Sequence, residues 1–128
     1  MSASTLYSLK KQKSDFDSEE DRDKQLIKRL QSAIEKHHAE EGFSVTRLAQ
    51  LLSLSREHLW RICKKTMGLA PGDLIDRRRL KKAKRLLNQG WSARDTAFQI
   101  GMKDPAYFSR WFKNRTGMTV QEFKNRKH

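Results

Sequence analysis

Apolar residues recur at helical spacing through most of the chain. Leu26, Ile27, Leu30, Ala33 and Ile34 share one face and predict a first helix running to about Glu41, with Gly42 as its stop. Ser18 can cap that helix, and Glu19, Glu20 and Asp21 in its first turn suit the positive end of the dipole. Residues 1–17 show no sustained periodicity and are expected to be a flexible tail or an interdomain linker.

From Ser44 onward the pattern occurs twice. SVTRLAQLLSLSREHLWRICKKTMG (44–68) lies over SARDTAFQIGMKDPAYFSRWFKNRTG (92–117). At an offset of 48, Ser44 matches Ser92, Ala49 matches Ala97 and Leu54 matches Met102. One residue is then inserted, and Leu59, Arg61, Lys64 and Gly68 match Phe108, Arg110, Lys113 and Gly117. Two copies are too few for a solenoid. Each copy predicts a short helix capped by Ser44 or Ser92, a tight turn, and a second helix. Ser55 opens the second helix of the first copy; Asp104 with Pro105 opens that of the second. Helix, short turn and helix is the helix-turn-helix shape.

Between the copies, PGDLIDRRRLKKAKRLLNQG (71–90) predicts one long helix that joins them, started by Pro71 and stopped by Gly90. Its basic residues, Arg77 to Arg85, are expected to form mostly a solvated face, with a few members near a polyanion's backbone. A last helix is expected from about Val120 to Lys127, burying Phe123. The expected fold is therefore all-α, a seven-helix bipartite domain. Its parts are a first helix-turn-helix subdomain (18–70), a linker helix (71–90) and a second subdomain (91–128).

The direction of each side chain follows from a turn of about 100° per residue. Tyr107, Phe108, Trp111 and Phe112 share an arc of about 140°, the width of a core-facing stripe. Phe108 and Phe112 are expected in the core, whereas Tyr107 and Trp111 carry a polar atom and can sit at an edge. Pro105, Ala106, Ser109, Arg110 and Lys113 lie opposite. In the first copy Leu59, Ile62 and Cys63 point inward, while Arg56, Glu57, Trp60, Arg61 and Lys64 point outward. Trp60 either packs against the linker helix or meets thymine methyls and sugars in a groove.

Charge sharpens this picture. The net charge is +13, but residues 1–43 hold eight basic and nine acidic residues, so the excess lies in 44–128. Such asymmetry points to a polyanionic partner, without choosing among DNA, RNA and anionic lipid. No apolar run is long enough for a membrane helix, and no segment resembles a signal peptide, so a cytoplasmic protein is expected. The single cysteine, Cys63, suits a reducing compartment and is expected to be an inert core thiol. His37, His38, Glu40 and Glu41 could approach a metal, but residues at a helix end are usually solvated; no metal, cofactor, small-molecule site or enzymatic activity is expected. An RNA-binding protein would need exposed rings on which bases stack, and nearly every ring here is expected to point inward. A protein-interaction module remains a third class, favoured by a lack of salt-sensitive DNA binding.

The second unit carries a family pattern in Ala97, Gly101, Asp104, Pro105, Tyr107, Phe108, Ser109, Arg110, Phe112, Lys113 and Gly117. The first unit and linker add Leu48-Ala49, Ser55, Leu59, Lys64, Gly68, Pro71, Ile75, Arg79-Leu80, Ala83 and Leu86-Leu87. Over residues 20–126 the chain resembles the DNA-binding domain of the AraC/XylS family of bacterial transcription regulators. Met102 stands where that family usually has Phe, and Val120 where Pro is usual; both departures are expected to affect packing or the start of the last helix rather than function.

The resemblance implies a sequence-specific regulator on double-stranded DNA in the bacterial nucleoid. One monomer would place two recognition helices in successive major grooves, about 34 Å apart, on an asymmetric promoter site. RNA polymerase is a further expected partner. By position it makes Glu57, Trp60, Arg61, Pro105, Ala106, Ser109 and Arg110 base-edge candidates. Arg61 and Arg110 can donate to guanine and Glu57 can accept from cytosine. Arg110 could instead hold a phosphate or a salt bridge. Arg56 shares the outward face, and Lys64 and Lys113 are expected on phosphates. Many members carry a separate sensor domain, so the chain is expected to be the C-terminal output domain of a larger regulator, with a stand-alone small regulator as the alternative.

Overall fold

The structure is a computed structural model that describes residues 18–126, so the expected tail 1–17 lies outside the described residues. Among the described residues there are seven helices and no strand. They are α1 (Glu19–His37), α2 (Val45–Leu51), α3 (Arg56–Met67), α4 (Pro71–Asn88), α5 (Ala93–Gln99), α6 (Pro105–Thr116) and α7 (Val120–Asn125). None is long and apolar enough to cross a membrane.

The caps follow the sequence. Ser18, Ser44, Ser55, Ser92 and Asp104 each accept a backbone N–H from the first turn of the helix they open. α7 begins with a reciprocal box in which Thr119 and Glu122 satisfy each other's backbone N–H groups. Gly68 and Gly117 end α3 and α6 in the left-handed conformation.

α1 stops at His37, four residues before the expected end. The reason lies in what takes over its terminal carbonyls. The His38 ring turns inward, with Nδ1 2.9 Å from the Ile34 carbonyl oxygen and 3.0 Å from that of Glu35. Arg79, reaching across from α4, donates to the carbonyls of His38 (3.1 Å) and Phe43 (2.9 Å). Two tight turns then carry the chain to Phe43. α4 likewise closes at Asn88, with Gly90 at φ +93° reversing the chain, and α7 ends at Asn125 rather than about Lys127, a residue outside the described range.

Burial divides the apolar residues into two clusters. The first joins Leu30 and Ile34 of α1, Leu48 of α2 and Leu59 and Cys63 of α3 to Leu74 and Ile75 at the start of α4. The second joins Ala83 and Leu87 near the end of α4 to Ala97, Phe108, Phe112 and Phe123. Every pair of helices in substantial contact either lies within α1–α3, lies within α5–α7, or includes α4. One helix therefore supplies a wall to both cores.

The two copies share a turn. Leu54 N–H donates to the Ala49 carbonyl at 2.9 Å, and Met102 N–H donates to the Ala97 carbonyl at 2.9 Å. The residue before each donor lies in the left-handed region: Gly101 at φ +83° in the second copy, but Ser53 at φ +55° in the first. A serine pays a steric cost there that glycine avoids. Ser53→Gly is expected to stabilise the fold by about 1 kcal/mol. A higher denaturant midpoint at unchanged slope would show it; a lower midpoint would remove strain at Ser53 from the account.

Candidate nucleic-acid interface

α3 is fixed by its inner face, where Leu59 and Cys63 are fully buried and Ile62 nearly so. Burial pushes the Cys63 thiol up to about 11, so it stays protonated at neutral pH and offers no nucleophile. The outer face presents Arg56, Glu57, Trp60, Arg61 and Lys64, all exposed. Trp60 leaves 51% of its surface open, and Lys64 Nζ stands 5.8 Å from its ring centroid, within cation–π range. Lys65, the next residue, belongs elsewhere. It pairs with the buried carboxylate of Asp23 (3.1 Å) and with Glu19 (3.2 Å), which raise its pKa and tie α3 to α1.

α6 is held in the same way by Phe108 and Phe112, both fully buried, and by the buried Trp111. Phe112 meets Phe123 edge-on at 5.3 Å between centroids. Tyr107 departs from the core stripe: it is 51% exposed. Opposite the stripe, Ala106, Ser109, Arg110 and Lys113 are exposed and Pro105 is half-buried. Arg115, on the inner side of α6, pairs with Asp76 and, at 3.5 Å, Asp73 on α4. Burial raises the Asp76 carboxyl, and Arg115 and Arg79 oppose that rise.

The outward cations are otherwise uncommitted. Among the described residues Arg56, Arg61, Arg110 and Lys113 make no ion pair, so the salt bridge considered for Arg110 is not formed. The basic cluster on α4 is less free than its sequence suggests. Arg78 donates to both carboxylate oxygens of Glu35 through Nε and Nη2 and holds that carboxyl at about 2. Arg79 is the clamp on the α1–α2 loop, and burial lowers its pKa. Arg77, Lys81 and Arg85 stay exposed.

Four large rings are exposed: Trp60 as expected, Tyr107 at the edge its polar atom allows, and Trp91 and Phe98 against the expectation that nearly all point inward. Phe98 was legible, because at helical spacing it lies across α5 from the buried Thr96 and Ile100. The His/Glu group at the end of α1 does not converge. His37 Nδ1 lies 2.6 Å from Glu40 Oε1, while His38 faces backbone carbonyls. Among the described residues no three His, Cys, Asp or Glu side chains gather as metal ligands would.

Comparison with known proteins agrees with this geometry. A family model described as a helix-turn-helix domain matches residues 48–126. A protein named histidine kinase P4, from Formosa agariphila, is 32% identical over 105 residues, which cover 81% of this chain and 8% of that protein. The crystal structure of the C-terminal domain of the two-component response regulator yesN from Fusobacterium nucleatum superimposes with a TM-score of 0.74 at 28% identity, covering 77% of this chain and 97% of that one. The DNA-binding domain of AdpA, a global transcriptional factor solved in complex with a target DNA, gives a TM-score of 0.68 at 26% identity, covering 77% and 88%. The chain spans 8%, 29% and 31% of the length of three curated relatives and 80% of a fourth. The doubled helix-turn-helix, the length over which it is matched and the character of its relatives agree: the chain belongs to the AraC-type helix-turn-helix family and is a DNA-binding domain of its transcription regulators.

Proposed function

We propose that the chain reads double-stranded DNA with α3 and α6 in successive major grooves, residues 18–70 and 91–128 acting as two reading units joined by 71–90. The observation that supports this most is the pairing of two capped helices. Each buries its apolar face and leaves outward a row of side chains with unpaired cations. Arg61 and Arg110 are assigned to guanine edges, Glu57 to cytosine N4, and Trp60, Pro105 and Ala106 to apolar contact with thymine methyls and sugars. Ser109 is compatible with either a donor or an acceptor. Arg56, Lys64 and Lys113 hold phosphates and set register.

In this reading the chain is a binding module rather than a catalyst, works in the bacterial cytoplasm, and serves as the output domain of a longer regulator. Its small share of three relatives' length supports that last point. RNA polymerase is the proposed protein partner.

The test is a binding titration over a range of salt. Lys113→Ala is expected to weaken every sequence alike and to reduce the slope of log affinity against log salt by about 0.9, the share of one phosphate contact. A variant that keeps the full slope, or a wild-type chain whose affinity ignores salt, would contradict the reading.

A further inference from the structure

The second turn differs from the first in two ways, and both differences meet the same loop. Gly101 replaces Ser53, and Lys103 is the extra residue that lengthens the second copy. Gly101 lies against the loop between α1 and α2. A methyl group placed on it would stand 2.7 Å from the Glu40 carbonyl oxygen and 3.0 Å from that of Ala39. Only a residue without a side chain allows that approach. Lys103 Nζ lies 2.6 Å from Glu41 Oε1, on the next residue of the loop. Arg79 fixes the loop from beneath through the carbonyls of His38 and Phe43, on either side of these contacts.

We propose that Gly101 and Lys103 form a strap that sets the separation of the two recognition helices, and so the base-pair spacing at which two half-sites are read. Without the strap the two units would be held together mainly through α4, because no helix of one packs extensively on a helix of the other. A contact to one side of that helix resists the bending and twisting that α4 alone permits. The backbone contact at Gly101 is the main element. The Lys103–Glu41 pair is exposed on both sides and screened by salt, so its share is smaller. Gly101 and Lys103 are positioning residues here; neither reads a base.

The inference rests on two helices reading two half-sites, and its experiment separates the two ideas. Wild-type protein, Gly101→Ala, Lys103→Glu and the charge exchange Glu41→Lys/Lys103→Glu are titrated against duplexes carrying the two half-sites that the wild-type chain recovers from a pool of random duplexes. The spacer between the half-sites is lengthened or shortened one base pair at a time. A further variant receives the first copy's turn, Gly101→Ser with Lys103 deleted. The grafted Ser carries a Cβ against the same carbonyls, so Lys103→Glu and the charge exchange, which place no atom there, keep the test available if the Gly101 variants do not fold.

Wild type is expected to bind one spacing at least about tenfold more tightly than its neighbours, because one base pair turns and shifts a half-site away from its helix. Gly101→Ala and the grafted turn are expected to flatten or shift that preference. Lys103→Glu should do so more weakly, and the charge exchange should restore it. Unchanged spacing discrimination in Gly101→Ala or the grafted turn, or in Lys103→Glu where neither of these folds, would overturn the strap, as would a wild type that binds both half-sites but ignores spacing. Failure of wild type to need two half-sites would instead overturn the reading of two helices in successive grooves.

Discussion

Phe112→Ala is expected to destabilise the second unit by about 3–5 kcal/mol, the usual cost of emptying a phenylalanine site in a close-packed core. Phe112 is fully buried, lies 5.8 Å from the Phe108 ring and meets Phe123 edge-on. Its cluster is small, with Ala83 and Leu87 as its fully enclosed residues from α4. Little nearby bulk can collapse into the space the ring leaves. A loss of this size is a large share of the 5–15 kcal/mol typical of a whole domain. The first cluster shares none of these residues, so two unfolding transitions are expected in the variant and one in the wild type. Chemical denaturation followed separately at residues of each unit would show it. A single transition shifted as a whole would mean that α4 and the loop contacts couple the cores more strongly than described.

Arg61→Ala is expected to weaken binding to the preferred site by about 1–3 kcal/mol and to relax selectivity at one base pair. Arg61 is exposed and has no ion-pair partner among the described residues, so its removal should leave the stability of the free protein near that of wild type. The effect should vanish on duplexes in which the base pair it reads is already replaced. Titration across a base-substituted site checks this, with Lys113→Ala as the comparison that loses affinity on all sequences. Equal losses on every duplex for Arg61→Ala would sink its base-reading role and move it to the phosphates.

The helical rows were legible because burial imposes a period. Leu59, Cys63, Phe108 and Phe112 had to fall on the inner arcs of their helices, and they do. The same arithmetic left Tyr107 between core and edge, since an arc gives a direction while the breadth of the contact depends on what stands opposite. The end of α1 was misread for a different reason. Ala39, Glu40 and Glu41 are good helix formers, and the loop they form instead is held by Arg79, forty residues away, through the carbonyls of His38 and Phe43, contacts that have no sequence signature. Lys64 and Lys65 are neighbours of the same type, yet Lys65 is committed to Asp23 and Glu19 by the way α1 folds back. Gly101 reads in sequence as a turn glycine and nothing more. Its approach to Glu40 exists only once the two units are side by side.

The central claim is that two helices of one chain read two blocks of sequence at fixed separation. The most direct measurement is selection by the purified chain from a pool of random duplexes, followed by sequencing. The expected result is an asymmetric motif of two blocks about one helical turn, roughly 34 Å, apart. Recovery of no motif, or of a single short block bound as tightly as any longer site, would contradict it.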